Sequence, residues 1–447
     1  MKKVIYLILG LSIIISSCEK FLDEKSNLNQ AIPETLKDLQ AILDHYQFMN
    51  NNDGNAAEVS STDVYLTDAD LDARTEVERN LYTWQRGNIF LYDGNEWFYN
   101  YRAIYRANSV LEFIQKIPRN GSNTVEWNNV SAQAYYYRAK NHLKGLYIWA
   151  NAYDEGTSQN ELGIPLRMTS DADQSLVRST VSQGYLQVIA DLKKAIAGLP
   201  TSTVHVMRPS KLAAYGLLAR TYWSMRKYDM ALLYADSCLR LKSDLIDFNS
   251  LNAAATYPIP QYNVEVLHES YFSTAVLSVS RVKIDPQLYA LYQANDLRKS
   301  VFFNDNKNGT FGFKGSYEGS SAWFSGVSVD EVLLIRAECL ARTNMLKEAL
   351  ADVNRLLRNR FKRNTFSDIV LSDQQAVLAL VLQERRKQLL MRGLRWVDVK
   401  RLNKEGNEIK FTKTYKGQSY ELLPNSKGFA LPIPEKVIEL GGIQQNP

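Results

Sequence analysis

Four aromatic residues in loop-like stretches, Trp84, Tyr257, Tyr262 and Trp323, have the right chemistry for recognising a ligand. Three polar residues, Asp63, Asn263 and Arg298, are their candidate partners. A Trp or Tyr ring has an apolar face, and a sugar ring presents a matching face of C–H groups. The sugar hydroxyls pair with Asp, Asn, Gln or Arg, and both kinds of contact must converge on one surface. This is binding chemistry, in which no bond breaks. The 26 Tyr and 7 Trp supply rings in plenty; in loops they suit sugar or peptide binding, whereas in helices they are core packing. Packing or plain surface exposure is the competing reading for each of the seven. Trp97 and Trp396 lie on helix stripes or beside charged motifs and read as core.

Other constellations do not add up to catalysis. Glu384, Arg385, Arg386, Arg395 and Asp398 form a charged cluster that reads as a structural ion-pair network. Asp68-x-Asp70-x-Asp72 opens like a calcium loop, but Ala73 stands where that loop needs Gly and Arg79 where it needs Glu. It reads as a solvated acidic loop. His45, His142, His205 and His268 show no metal spacing. There is no nucleophile elbow, no phosphate-cradling Gly loop and no carboxylate pair that stands out for glycoside hydrolysis. No catalytic residue, metal or cofactor is expected.

The positioning elements are mostly helical. Pro33 to Phe48 has helical spacing, and Asn50 to Asp72, rich in Asn, Asp, Ser and Gly, reads as a long surface loop. Trp97, Tyr101, Ile104, Asn108 and Leu111 form one helical stripe, and Ser131 to Tyr153 continues the theme. Tyr185 to Leu199 stops at Pro200, and Pro209 to Met225 begins with Pro in a first-turn position. A turn at Arg226 to Tyr228 leads to a helix from Asp229 to Leu241. Ala219, Tyr222 and Ala231 recur at the same spacings as Ala337, Leu340 and Ala349, which resembles a tetratricopeptide helix pair. Such a pair leaves an apolar face that must stack on a neighbour. Ser328 with Glu331, and Ser372 with Gln375, are capping-box spacings. Between the repeats, 244–326 is loop-rich with two or three short strands, for example Leu277 to Ile284, and loops this long usually carry function. Gly393 is expected to end the last long helix, Phe411 to Tyr420 to form a hairpin broken at Gly417, and Pro432-Ile433-Pro434 to be extended.

The N-terminus supplies an address. Met1-Lys2-Lys3, an apolar run from Val4 to Ile15, and Ser16-Ser17 precede Cys18. That order reads as a lipoprotein signal, with 1–17 removed and Cys18 lipidated. The run is about 12 residues, short of the ~20 that span a bilayer. Glu19 to Lys25 reads as a tether. Cys238 and Cys339, in helical surroundings, read as buried free thiols. The formal charge of +5 is small and interspersed, so no nucleic-acid partner is expected.

These segments together resemble the SusD/RagB family of outer-membrane nutrient-binding lipoproteins. In order they are Ser17-Cys18-Glu-Lys-Phe-Leu, Ala134-Tyr-Tyr-Tyr-Arg138-Ala139, Gly163-Ile-Pro165-Leu, Arg178-Ser-Thr-Val, Ile189-Ala-Asp191-Leu and Leu199-Pro200. Lys211-Leu-Ala-Ala214, Leu218-Ala219-Arg220, Ile335-Arg336-Ala337-Glu338, Asn354 and Arg358 follow. Glu384-Arg385-Arg386, Gly393, Arg395-Trp396-Val397-Asp398, Pro432-Ile-Pro434-Glu and Gln445-Asn446-Pro447 complete the series. The chain departs from the family at Gln388, usually acidic, and Arg392, commonly Glu, so an ion pair of Arg395 with either is not expected.

The resemblance implies one mainly α domain over 18–447, with four tetratricopeptide-like helix pairs and the loop-rich insertion at about 244–326. It implies a lipid-anchored protein facing the cell exterior that captures an oligosaccharide, or a peptide, and delivers it to a SusC-like TonB-dependent outer-membrane barrel. The alternatives are a lipid-anchored glycoside hydrolase or peptidase and a structural helical-repeat adaptor.

Overall fold

The computed structural model describes residues 33–51, 53–171 and 173–447. Cys18, its signal and the tether to Lys25 lie outside the described residues. The longer helices are α1 (Leu36–Leu43), α2 (Glu96–Phe113), α3 (Thr124–Trp149), α4 (Val181–Gly198), α5 (Lys211–Ser224) and α6 (Tyr228–Leu239). After the loop-rich region come α7 (Val329–Arg342), α8 (Leu346–Arg358), α9 (Gln374–Gln388), α10 (Arg395–Asn403) and α11 (Glu435–Gly441). The fold is mainly α.

From α2 to α8, each helix packs chiefly on its neighbours in the chain, and α9 returns onto α7. Helices α3 and α4 approach closely because α4 carries Gly184 and Gly198 at the contact. A Cβ at either would come within 2.7 Å of Leu146 or of the Asn128 carbonyl. The α5–α6 and α7–α8 pairs repeat in atomic detail. Ala219 and Ala231 in one, and Ala337 and Ala349 in the other, are fully buried where the helices touch. Seven residues after the first Ala of each pair, Arg226 and Asn344 turn the chain at φ 60° and 62°. The next N–H closes the same turn, Lys227 to Tyr222 O at 3.0 Å and Met345 to Leu340 O at 2.9 Å.

The loop-rich region holds more β-structure than its composition suggests. Val266–His268 pairs with Val327–Ser328, Tyr271–Phe272 with Trp323–Phe324, and Phe303–Asp305 with Phe311–Phe313. Of Leu277 to Ile284 only Lys283–Ile284 is a strand, paired with Val64–Tyr65. A turn in which Arg281 and Val282 donate to Ser278 O interrupts the rest.

The expected surface loop from Asn50 to Asp72 is instead largely buried. Its short polar residues are satisfied from far along the chain. Asn55 N–H donates to Glu96 at 3.0 Å, Lys413 Nζ to Val59 O at 2.6 Å, and Gly393 N–H to Glu58 at 2.7 Å. Gly393 therefore turns the chain into α10, while α9 has already ended at Gln388.

Caps also differ. Ser328 Oγ donates to Asp330 at 2.5 Å and Glu331 is taken by Arg220, so that capping box does not form. Asp373, not Ser372, caps α9 by accepting from Ala376 N–H at 2.7 Å. Ser210 caps α5, which leaves Pro209 outside the helix. The hairpin forms as Phe411–Tyr415 with Gln418–Leu422, and Lys416 and Gly417 both have positive φ, as a two-residue hairpin loop needs. Cys238 and Cys339 are free and buried.

His142 lies wholly inside α3's packing, and neither ring nitrogen has a partner. Burial first, then the nearby Arg138 charge, brings its pKa down to about 3 from the usual 6.5. The unfolded chain therefore takes up a proton below pH 6.5 that the folded protein refuses. Stability is lost as pH falls from 6.5 towards 3, by at most about 1.4 kcal/mol per pH unit. Urea midpoints measured at pH 7, 5.5 and 4 should show a His142→Leu variant with a shallower acid limb than the wild type; parallel limbs would refute this.

Candidate functional site

A groove with a volume of about 840 Å³ lies between α2, the 167–176 loop and α11. Asn95 starts α2 by accepting from Phe98 N–H at 3.1 Å while its amide donates to Leu91 O at 2.7 Å. The helix then shows two aromatic faces. Trp97 and Tyr101 stack at 4.6 Å along the groove's inner side, and buried Trp97 meets Trp149 edge-on at 4.8 Å. Tyr101 OH donates to Pro165 O at 2.8 Å. On the groove side Phe98, Arg102 and Tyr105 follow at i, i+4 and i+7, with Phe98 49 % and Tyr105 52 % exposed.

The opposite wall is α11, with Leu440 76 % exposed. Tyr92 OH donates to Glu439 at 3.1 Å, and Lys436 pairs with Asp93, so α11 is pinned to the segment preceding α2. The 167–176 loop is set from below. Asp191 holds Arg138 through two bonds of 2.7 and 2.8 Å, and Arg138 donates to Asn108 Oδ1 at 3.0 Å. The Asn108 amide then donates to the carbonyls of both Arg167 and Thr169 at 3.0 Å. A buried ion pair thus sets the groove's upper edge. Around Gly94 and Asn95 the groove adjoins a hollow of about 230 Å³ lined by Asn55, Glu78, Tyr99 and Ser273. Half-exposed rings flanked by guanidinium, amide and hydroxyl groups are what a sugar ring requires.

The chain matches the family model described as starch-binding, associating with the outer membrane, over residues 20–223, and the SusD family model over residues 316–447. It belongs to the SusD/RagB family. It is 24 % identical over 405 residues to SusD-like protein P2 of Formosa agariphila, which covers 76 % of each chain. Its fold is that of a SusD superfamily protein from Bacteroides vulgatus, with TM-score 0.74, 19 % identity and 93 % and 99 % of the two chains covered. A SusD-like carbohydrate-binding protein from Bacteroides vulgatus has TM-score 0.68 at 19 % identity, covering 92 % and 97 %. A SusD superfamily protein from Bacteroides thetaiotaomicron has TM-score 0.72 at 19 %, covering 92 % and 100 %.

Several SusD-like motif residues turn out to be scaffolding. Arg138 and Asp191 form the ion pair beneath the groove. Asn446 donates to Trp149 O at 2.9 Å and Leu431 O at 2.7 Å, and Gln445 pairs with the Ile433 backbone, so the C-terminal motif ties the extended Pro432–Pro434 segment to the end of α3. Arg385 pairs with Asp398 at 3.0 Å, and Asp63 receives Arg386 at 2.7 Å and Arg395 at 3.4 Å. Arg395 thus finds its partner on the buried N-terminal segment. The departures at 388 and 392 also have a reason. Gln388 accepts from Arg360 at 3.1 Å and donates to Asp330 at 2.8 Å, which a carboxylate cannot do, and Arg392 pairs with Asp330 at 2.9 Å.

None of the seven residues singled out from sequence lines the groove. Trp323 is buried and donates to Leu277 O at 3.1 Å. Asp63 is buried under Arg386 and Arg395. Arg298 is fully buried between Asp296 and Glu384, each at 2.7 Å. Asn263 is spent on a local turn, accepting from Glu265 N–H and donating to Pro260 O. These four are corrections: each serves packing or an internal bond rather than a ligand. Trp84 is half-buried, donates to Ser60 O at 3.0 Å and borders a separate hollow of about 420 Å³. Tyr257 is half-buried, and Tyr262, exposed, meets the His205 ring edge-on at 4.4 Å. Trp97 and Trp396 are core.

Phe98, Tyr105, Tyr92, Arg102 and Arg167 were missed. A signal was present: Phe98, Arg102 and Tyr105 make a second stripe on the helix whose first stripe, Trp97 to Leu111, is buried except for half-buried Tyr101. Among the described residues no three His, Cys, Asp or Glu side chains converge on a metal position. Asp70 caps its own short helix from Thr67 and pairs with Lys283, and Asp72 receives Tyr415 and Lys416.

Proposed function

We propose that this protein is a surface-exposed lipoprotein that captures an oligosaccharide in the α2 groove and passes it to a TonB-dependent barrel of the SusC type, breaking no bond. The observation that carries the reading is the exposed Phe98–Tyr105 face beside Arg102 and Arg167. Phe98 and Tyr105 are separated by about 10 Å along the helix, so one ligand touching both rings is an oligomer. Membership in the SusD/RagB family supports the barrel partner and the outer-membrane address, and the Cys18 signal supports the anchor. No helix among the described residues is long and apolar enough to cross a membrane, consistent with an anchor outside the folded body.

Affinity electrophoresis against a glycan panel tests it. The wild type should be retained by at least one glycan. Phe98→Ala with Tyr105→Ala should lose about 2–3 kcal/mol of binding, roughly a hundredfold in Kd, from the two stacking faces. The melting temperature should barely move, because both rings are half-exposed. Release of new reducing ends would favour a hydrolase, and retention unchanged in the double variant would rule out this groove.

A further inference from the structure

Two arginines that line the groove, Arg102 and Arg167, are handled differently from the arginines of the core. Arg138, Arg220, Arg298, Arg360, Arg392 and Arg401 are buried, and each is neutralised by a carboxylate. Arg102, Arg106 and Arg167 have no such partner among the described residues. Arg102 lies 3.8 Å from the Phe48 ring and about 5 Å from those of Phe98 and Tyr99. Its Nε is buried without a hydrogen-bond partner. Arg106, one turn further along α2, lies 4.1 Å from the same Phe48 ring. Arg167 donates only to backbone carbonyls, those of Gln174 at 2.6 Å and Asp171.

Stacking uses the flat face of a guanidinium and leaves its in-plane N–H groups for an acceptor. Rings cradling a cation hold it in place without neutralising it. The nearby acids do not do so either. Asp93 is held by Lys436, Glu439 accepts from Tyr92, and Asp171 and Asp173 form no ion pair with the three arginines. A held, uncompensated guanidinium between two exposed sugar-stacking rings calls for an anionic acceptor on the ligand.

We propose that the groove takes a glycan bearing anionic substituents, carboxylate or sulfate ester, which pair with Arg102 and Arg167, with Arg106, one turn further along α2 and outside the groove lining, adding to the local positive charge. This rests on the groove being the glycan site. Titration calorimetry at 0.1 M salt with two matched pairs tests it: polygalacturonate against its methyl ester, and dextran sulfate against dextran. At least one charged member should bind ten or more times tighter than its neutral counterpart, and the pair that shows it tells carboxylate from sulfate. Arg102→Gln with Arg106→Gln should erase that preference. Arg102→Lys, which keeps the charge and the ring contacts, should keep part of it and guards against mere misfolding. Lys193→Gln with Lys194→Gln, equal in charge but exposed on α4, should bind like the wild type.

Equal affinity within both pairs, a preference that survives Arg102→Gln with Arg106→Gln, or a preference lost equally in the Lys193/Lys194 control would each overturn the inference. So would failure of all four probes to bind. In any of these cases, retention of an uncharged glycan that is lost in Phe98→Ala with Tyr105→Ala leaves the reading of the groove standing.

Discussion

Replacing Arg360 by alanine is expected to cost the folded protein about 3–5 kcal/mol. Arg360 has no exposed surface, and it pairs with Glu265 at 2.6 Å while donating to Ile246 O at 2.7 Å and Gln388 at 3.1 Å. Glu265, equally buried, also accepts from Tyr317 OH at 2.6 Å and Ile246 N–H at 2.8 Å. Removing the guanidinium leaves a carboxylate in the core facing Asp330, whose side chain lies 3.0 Å from the same Tyr317 hydroxyl. The cost comes from that stranded charge, not from the pair's own net strength. The network joins the loop-rich region (Glu265, Tyr317) to α7 (Asp330), α9 (Gln388) and the end of α8. Its loss should therefore loosen the insertion from the scaffold. Urea denaturation at pH 7 should show a much lower midpoint. Because the charge is the cause, Arg360→Ala with Glu265→Gln should recover part of the loss; no recovery would argue against this account.

Trp323→Ala is expected to be comparably severe, about 3–5 kcal/mol. The ring is 1 % exposed, its strand pairs with Tyr271–Phe272, and Phe313 lies 5.7 Å from it. Truncation opens a cavity and also removes the donor to Leu277 O. Trp323→Phe should recover most of the packing and leave only the hydrogen-bond loss, about 1 kcal/mol. A thermal melt of the pair settles it: near-native stability of Trp323→Ala would contradict the burial. Ligand retention lost in Trp323→Ala would then report unfolding rather than a lost sugar contact, which is why Phe98 and Tyr105 are the informative substitutions.

The contrast between these tryptophans and the groove rings shows how far sequence reasoning reaches. Trp97 and Trp396 were legible as core because a helical stripe or a charged motif places them. Trp323 was not, because its neighbours, Gly, Ser and Ala, look like a loop while the buried ring donates to Leu277 O and lies beside Phe313. Asp63 reads as an exposed acid in a polar stretch, yet its partner Arg386 is 323 positions away. Arg298 fails in part for the same reason, since its second partner, Glu384, is 86 positions away, whereas Asn263 is taken up by its own turn.

What the sequence determined by itself is whatever depends on near neighbours or on order along the chain. The helical scaffold with its repeated Ala-x-x-Tyr and Ala-x-x-Leu pairs, the Lys416–Gly417 hairpin and the ordered motifs of the SusD/RagB family are of this kind. They follow from helical period, turn conformation and fixed spacing, which act within about a dozen residues. What only the tertiary structure decided is which rings face water and which charges face a carboxylate. Exposure is set by whatever packs from elsewhere: α11 and the 167–176 loop make a groove of one face of α2, while Asp63, Trp323 and Arg298 are buried by segments remote in sequence. The candidate binding residues therefore moved from the long loops to a helix whose second aromatic stripe, Phe98 to Tyr105, was left uncovered.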